Sequence, residues 1–161
     1  MDYIHELRKE IGPRKIILNC AGAVIVREGK ILFQRRTDNG KWGLIGGLVE
    51  MNETYEQAAL REIREETGCS CMEIRELGIV EENRGTLDYT QINYYFLVLA
   101  QREGECCLTE AEKENAAAVQ WHPLKKAADL ITNQKFERVQ GKYLCARDAV
   151  VLRFYEETCQ L

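Results

Sequence analysis

The chain has no apolar run that approaches a membrane span; its longest candidate, Tyr94 to Ala100, suits a buried strand. It also lacks a basic excess. Lys and Arg number 22 against 26 Asp and Glu, for a net charge of −4, and duplex nucleic acid is not an expected partner, because such binding needs cations to neutralise many phosphates. Small phosphorylated ligands stay open, since a bound metal supplies positive charge locally. No internal repeat or low-complexity segment interrupts the chain. The opening MDYIHELRKE carries charges where an export signal needs an apolar stretch, so secretion is not expected. Histidine is scarce, and His5 and His122 stand apart from any other ligand type; both read as structural. The 7 cysteines do not follow zinc spacing: neither Cys69-x-Cys71 nor the adjacent Cys106-Cys107 repeats a spaced pair. Reduced thiols in a cytoplasmic protein are the expectation.

What is present fits a globular protein. Hydrophobic residues make up 45% and charged residues 30% of 161 residues, enough for a substantial core in one domain, 1–161. Ile16 to Val26 is rich in Ile, Val and Ala, Arg27-Glu28-Gly29-Lys30 reads as a hairpin turn, and Ile31 to Gln34 as the returning strand. Asp38-Asn39-Gly40 signals a loop before the short apolar run Trp42 to Ile45. Thr54 with Gln57 forms a capping box opening a helix, and Gly68 suits its left-handed end. Glu73 to Glu81 and Thr90 to Gln101 read as strands joined near Arg84-Gly85. Val119 to His122 is a short strand stopped by Pro123, and Leu124 to Thr132 and Cys145 to Thr158 have helical periods. Strands interleaved with helices give an α/β or α+β domain with helices on both sides of a mixed sheet.

One segment carries chemistry. In the helix after Thr54, Glu62 faces both Glu65 and Glu66 across a single turn, and like charges at that spacing repel. A hard divalent cation offsets such a cluster, because Mg²⁺ takes oxygen ligands and is usually completed by substrate phosphates. The plainer reading, a solvated face balanced by Arg61 and Arg64, is the common fate of a charge run. The neighbours favour the metal. Gly47, Glu53, Arg61, Glu62, Ile63, Glu65, Glu66 and Gly68 fall at fixed spacings over residues 47–68.

This pattern resembles the signature of the Nudix hydrolases (MutT-like), in which a Gly and a Glu precede Arg-Glu-aliphatic-any-Glu-Glu-any-Gly-aliphatic. Cys69 departs at the last place, where it packs as a small hydrophobe. Ile45 departs too, standing where many members have Pro before the two glycines, which removes a fixed backbone angle. The resemblance extends from about Ile16 to Leu130 and implies a Nudix-type α/β/α sandwich with a mixed β-sheet. The last thirty residues carry no motif.

The implied activity is Mg²⁺-dependent hydrolysis, with Mn²⁺ as a substitute, of a nucleoside diphosphate linked to another moiety. Nucleoside triphosphates, oxidised nucleotides, ADP-ribose and nucleotide sugars are the substrate classes. By the same resemblance Glu62 and Glu66 are metal ligands, Glu65 a ligand or the base, and the Gly46 carbonyl completes the site. Glu53 and Arg61 pair to orient the loop on the helix. A base from the loop before the last strand is common in the family; Glu110, Glu112 and Glu114 lie there and nothing in the sequence selects one. Arg36 is the substrate-contacting candidate, with Arg35 the alternative, since alternate strand residues face opposite sides. Trp42, Tyr89, Tyr94 and Tyr95 could sandwich a base, but strand aromatics are more often core. The rival function is a catalytically silent nucleotide-binding or sensing module, which a broken glutamate set would favour; a messenger-RNA cap hydrolase would favour basic extensions, absent here. Partners are thus a small nucleotide, no membrane, and a homodimer as the assembly related enzymes often form.

Overall fold

A computed structural model describes residues 3–36, 40–69, 71–100 and 118–159. The elements run α1 (Tyr3–Ile11), β1 (Ile17–Arg27), β2 (Lys30–Arg35), β3 (Trp42–Gly43), β4 (Ile45–Leu48), α2 (Tyr55–Thr67), β5 (Cys71–Arg84), a 3-10 turn (Gly85–Leu87), β6 (Tyr89–Ala100) and β7 (Val119–Pro123). Two helices follow, α3 (Leu124–Thr132) and α4 (Val139–Cys159).

The strands form one mixed sheet. Its main path runs β3-β2-β1-β6-β5, with β4 paired to β1 and β7 paired to β2. β1 and β6 are parallel over Ile17↔Thr90 to Val26↔Leu99, and the other pairs are antiparallel. From Cys20 to Val26, β1 is continuously apolar and buried, as a strand covered on both faces requires. Side chains alternate across a strand. Ala21, Ala23 and Ile25 pack with Ala58, Ala59 and Ile63 of α2 and with Phe96 and Val98. Val24 and Val26 pack instead with Phe33, Leu97, Ala127 and Ile131 of α3, and Val151 and Leu152 of α4. The result is the expected α/β/α sandwich, α2 on one face and α3 with α4 on the other.

The hairpin between β1 and β2 turns through Glu28 and Gly29, both at positive φ, the twist-compatible geometry of a two-residue loop. α2 begins at Thr54, whose side chain accepts from the Gln57 amide while the Gln57 side chain accepts from the Thr54 amide. It ends at Gly68 in the left-handed region. Two elements differ from the sequence reading. α4 starts at Val139 rather than Cys145, and contains Gly141, a weak helix former that obscured the pattern. A Cβ at Gly141 would overlap the Phe136 ring, so the glycine is retained for packing. α1, not anticipated, is tied down by Arg8, which donates to the Gly12, Arg14 and Asp88 carbonyls.

Among the described residues no helix is long and apolar enough to cross a membrane. Cys20, Cys69, Cys71, Cys145 and Cys159 are free thiols; Cys106 and Cys107 lie outside the described residues.

Candidate active site

The site lies where α2 crosses the glycines of β4. β1 pairs with β4 through Ala21↔Gly47 and Gly22↔Gly46. A Cβ on Gly46 would come within 2.7 Å of the Ala21 carbonyl oxygen, and one on Gly47 would overlap the Glu62 carboxylate. The two glycines are therefore required by contact. They let strand and helix approach until a carboxylate rests on bare backbone.

Arg61 organises the near side. Its guanidinium donates to Glu53 at 2.8 and 3.1 Å, to Glu62 at 2.7 Å, to Glu65 at 3.3 Å and to the Leu48 carbonyl at 2.9 Å. Glu53 also accepts from the Glu50 amide. One cation thus ties the loop after β4 to the first half of α2. The Arg61 partnership holds the Glu53 carboxyl below the usual range, and the Arg61 pKa is itself raised, chiefly by Glu53.

Glu66 is placed differently. Burial, and then the like charge of Glu62, push its pKa up to about 8, against hydrogen bonding from Gln34 and the Gly46 backbone and the charge of Arg36. Its Oε2 atom is buried and has no hydrogen-bond partner. Burial also raises the Glu62 carboxyl, opposed by Arg61. A buried, unpartnered carboxylate oxygen beside a second carboxylate is costly unless a cation or proton joins it. Strand residues send amide and carbonyl to the same edge, so the Gly46 carbonyl lies on the edge its amide presents to Glu66.

The anticipated residues are thus only partly gathered. Glu62, Glu66 and Gly46 meet at the seam, whereas Glu65 turns to Arg61 and Arg64. Among the described residues no three His, Cys, Asp or Glu side chains lie as a metal ion would require; Arg61 occupies the charge-balancing position for Glu62 and Glu65. Two half-buried carboxylates beside the Gly46 backbone nevertheless offer oxygen donors of the kind hard divalent cations take, and the orphaned Glu66 oxygen is the atom such a cation would satisfy. Glu110, Glu112 and Glu114 lie outside the described residues.

The two arginines at the end of β2 have different surroundings. Arg35 donates to the Gly40 carbonyl, and Arg36 lies on the side whose charge reaches Glu66. Gln34, two residues back on the same face, is buried, donates to the Leu44 carbonyl and bonds Glu66. The sequence reading missed it, although alternation from Arg36 points to it. A second missed residue is Asp148 of α4, which accepts from the Leu44 amide at 3.0 Å and is held by Arg147 at 2.9 Å. Gln134 both accepts from the Trp42 amide and donates to its carbonyl. These long-range bonds fix the segment entering Gly46.

Of the four candidate aromatics, Tyr89 and Tyr95 are buried, and Tyr94 and Trp42 are half-buried against the two faces of the core. Tyr94 stacks on Tyr55 at 3.6 Å, Tyr95 is buried and donates to Asp148 at 3.4 Å, and Trp42 meets His122 edge-on. Tyr89 borders a cavity of about 820 Å³, which Arg36 also lines.

Comparison with known proteins identifies the family. The NUDIX domain profile matches residues 18–144. A MutT-like protein of Streptomyces ambofaciens is 38% identical over 81 residues, 50% of this chain and 52% of that one. An ADP-ribose pyrophosphatase of Methanocaldococcus jannaschii is 40% identical over 67 residues, 38% of this chain and 40% of that one. The chain therefore spans about half the length, or less, of these relatives. The crystal structure of a MutT NUDIX hydrolase from Burkholderia pseudomallei superposes with a TM-score of 0.63 at 23% identity, covering 86% of this chain and 98% of that one; at that identity the likeness speaks for the fold. With the profile covering most of its length and the sandwich in place, the chain belongs to the NUDIX domain family.

Proposed function

We propose that the protein hydrolyses a phosphoanhydride in a nucleoside diphosphate derivative, with Mg²⁺, or Mn²⁺ in its place, at the seam between α2 and β4. The observation that carries this is the buried Glu66 oxygen without a partner, set beside Glu62 against Gly46-Gly47. Glu62, Glu66 and the Gly46 carbonyl would hold the cation, with Glu65 as a further ligand or as the base once released from Arg61. Bound there, the ion supplies electrostatic stabilisation of charge developing on phosphorus-bound oxygens.

The remaining work belongs to the chain's own residues. Arg61 clamps the loop at Leu48 and Glu53 to the helix, which holds the two glycines in place. Gln34 orients the Glu66 carboxylate. Arg36, near Glu66 and bordering the cavity, presents a fork suited to phosphate oxygens. Glu65, Glu112 and Glu114 are the candidates to take a proton from the attacking water. Relatives named for ADP-ribose, CTP and oxidised purine nucleoside triphosphates support a small nucleotide substrate.

The test is formation of nucleoside monophosphate from a nucleotide panel, followed chromatographically, with and without Mg²⁺. Turnover that requires the metal and disappears in Glu66→Gln, with the fold retained by circular dichroism, is the expected outcome; an active Glu66→Gln protein would remove Glu66 from the site.

A further inference from the structure

The cavity of about 820 Å³ lies beyond Arg36, walled by the end of β2, the β5–β6 turn and the segment leading into α4. Its volume suits a nucleotide-sized ligand. Its charge runs against that of the chain. Among the described residues, Arg36, Lys41, Arg84, Lys135 and Arg138 line it with a single acid, Glu137, in a protein of net charge −4.

Arg84 shows that this is a built wall. It is 4% exposed, donates to the Tyr89 hydroxyl at 2.7 Å and to Glu82 at 3.1 Å, and lies over the Tyr89 and Tyr143 rings at 5.5 and 5.4 Å. Its Nε is nonetheless buried without a hydrogen-bond partner. A buried N–H left unpaired is costly. Lys135 and Arg138, on another wall, are exposed and form no ion pair with any described residue.

We propose that this cavity binds a phosphoryl group that the substrate carries in addition to the two joined by the hydrolysed anhydride. Polyphosphorylated nucleotides are then preferred over nucleoside diphosphates whose other end is a neutral sugar. The inference rests on the hydrolase reading above. The two phosphoryl groups at the seam are served by the cation site and by Arg36, which borders both places. Lys135 and Arg138, farther along the cavity, are matched by an additional phosphoryl group and not by a neutral sugar. The extra phosphoryl could sit on the ribose or extend the phosphate chain.

The experiment compares kcat/KM with Mg²⁺ on two matched pairs: ADP-ribose against its 2′-phosphate ester, and diadenosine diphosphate against diadenosine tetraphosphate. Each is measured for the wild type, for Lys135→Glu with Arg138→Glu, and for Lys125→Glu with Lys126→Glu. The last pair makes the same charge change at exposed positions of α3 away from the cavity. The expected result is an advantage of about ten-fold or more for the additional phosphoryl, falling to near one in the cavity variant and surviving in the α3 variant. The pair that shows it identifies where the extra group sits. Equal use of both members of both pairs, an advantage that survives the cavity reversal, or one lost equally in the α3 variant overturns the proposal.

Failure of all four compounds to turn over counts against the hydrolase reading instead. The same compounds titrated calorimetrically into metal-free protein then decide the cavity. Tighter binding of the more phosphorylated member, lost on reversal, supports the proposal, and equal binding overturns it. If the double reversal unfolds the protein, Lys135→Gln with Arg138→Gln replaces it.

Discussion

The acidic seam and the basic cavity share Arg36 but are built by opposite means. The seam comes from one helix and one strand close in sequence, and its tension is of like sign: Glu62 and Glu66 are half-buried together with one oxygen unpartnered. The cavity is assembled from three distant stretches, and its excess charge is positive. The contrast separates chemistry from selection. Changes at the seam should slow every substrate, whereas changes in the cavity should reorder substrates.

The largest effect expected is from Glu66→Gln, which should lower kcat/KM by about a thousand-fold or more on any substrate the protein turns over. A loss confined to some substrates would merge the two regions into one. Arg61→Ala comes next: it removes the partner of Glu53, Glu62 and Leu48 together, and denaturant unfolding should show about 2–3 kcal/mol of lost stability, with activity falling alongside. Gly47→Ala forces a methyl group onto the Glu62 carboxylate and should cost about 1–3 kcal/mol, with weakened metal binding. If stability and metal affinity are unchanged, helix and strand are not in the contact described.

A pH experiment sharpens the same contrast. The Glu66 carboxyl titrates near 8 in the fold, above its ordinary 4.5, so between those values the folded state binds the proton more tightly than the unfolded state. Its contribution is present in full below about pH 4.5 and is lost as pH rises through about 8. Thermal melts in chelator should therefore show a decline on the order of 5 kcal/mol across that window, absent in Glu66→Gln and reduced by Mg²⁺. Smallest is Thr54→Ala, which deletes the cap of α2 and should cost about 1 kcal/mol with little change in kcat.

Legibility in the sequence followed the range of the interactions. α2 was readable at both ends because Thr54, Gln57 and Gly68 act within a turn, and the glutamates share that helix. The β1–β2 hairpin was readable for the same reason. Arg36 could be narrowed only to one of two residues until their surroundings were seen, and Gln34 followed from the same face. Asp148 carries no local mark, since it acts on Leu44 across 104 residues. The early start of α4 was hidden by Gly141, whose value lies in admitting Phe136 rather than in helix propensity. The cavity was invisible because Arg84, Lys135 and Arg138 become neighbours only when the turn after β5 meets the segment before α4.

Calorimetric titration of Mg²⁺ into the metal-free protein tests the central claim most directly. Saturable binding in the wild type, weakened about ten-fold or more in both Glu62→Gln and Glu66→Gln and retained in Lys135→Glu, is the result the account predicts. Binding of equal strength in all four proteins, or none in the wild type at millimolar metal, would contradict it.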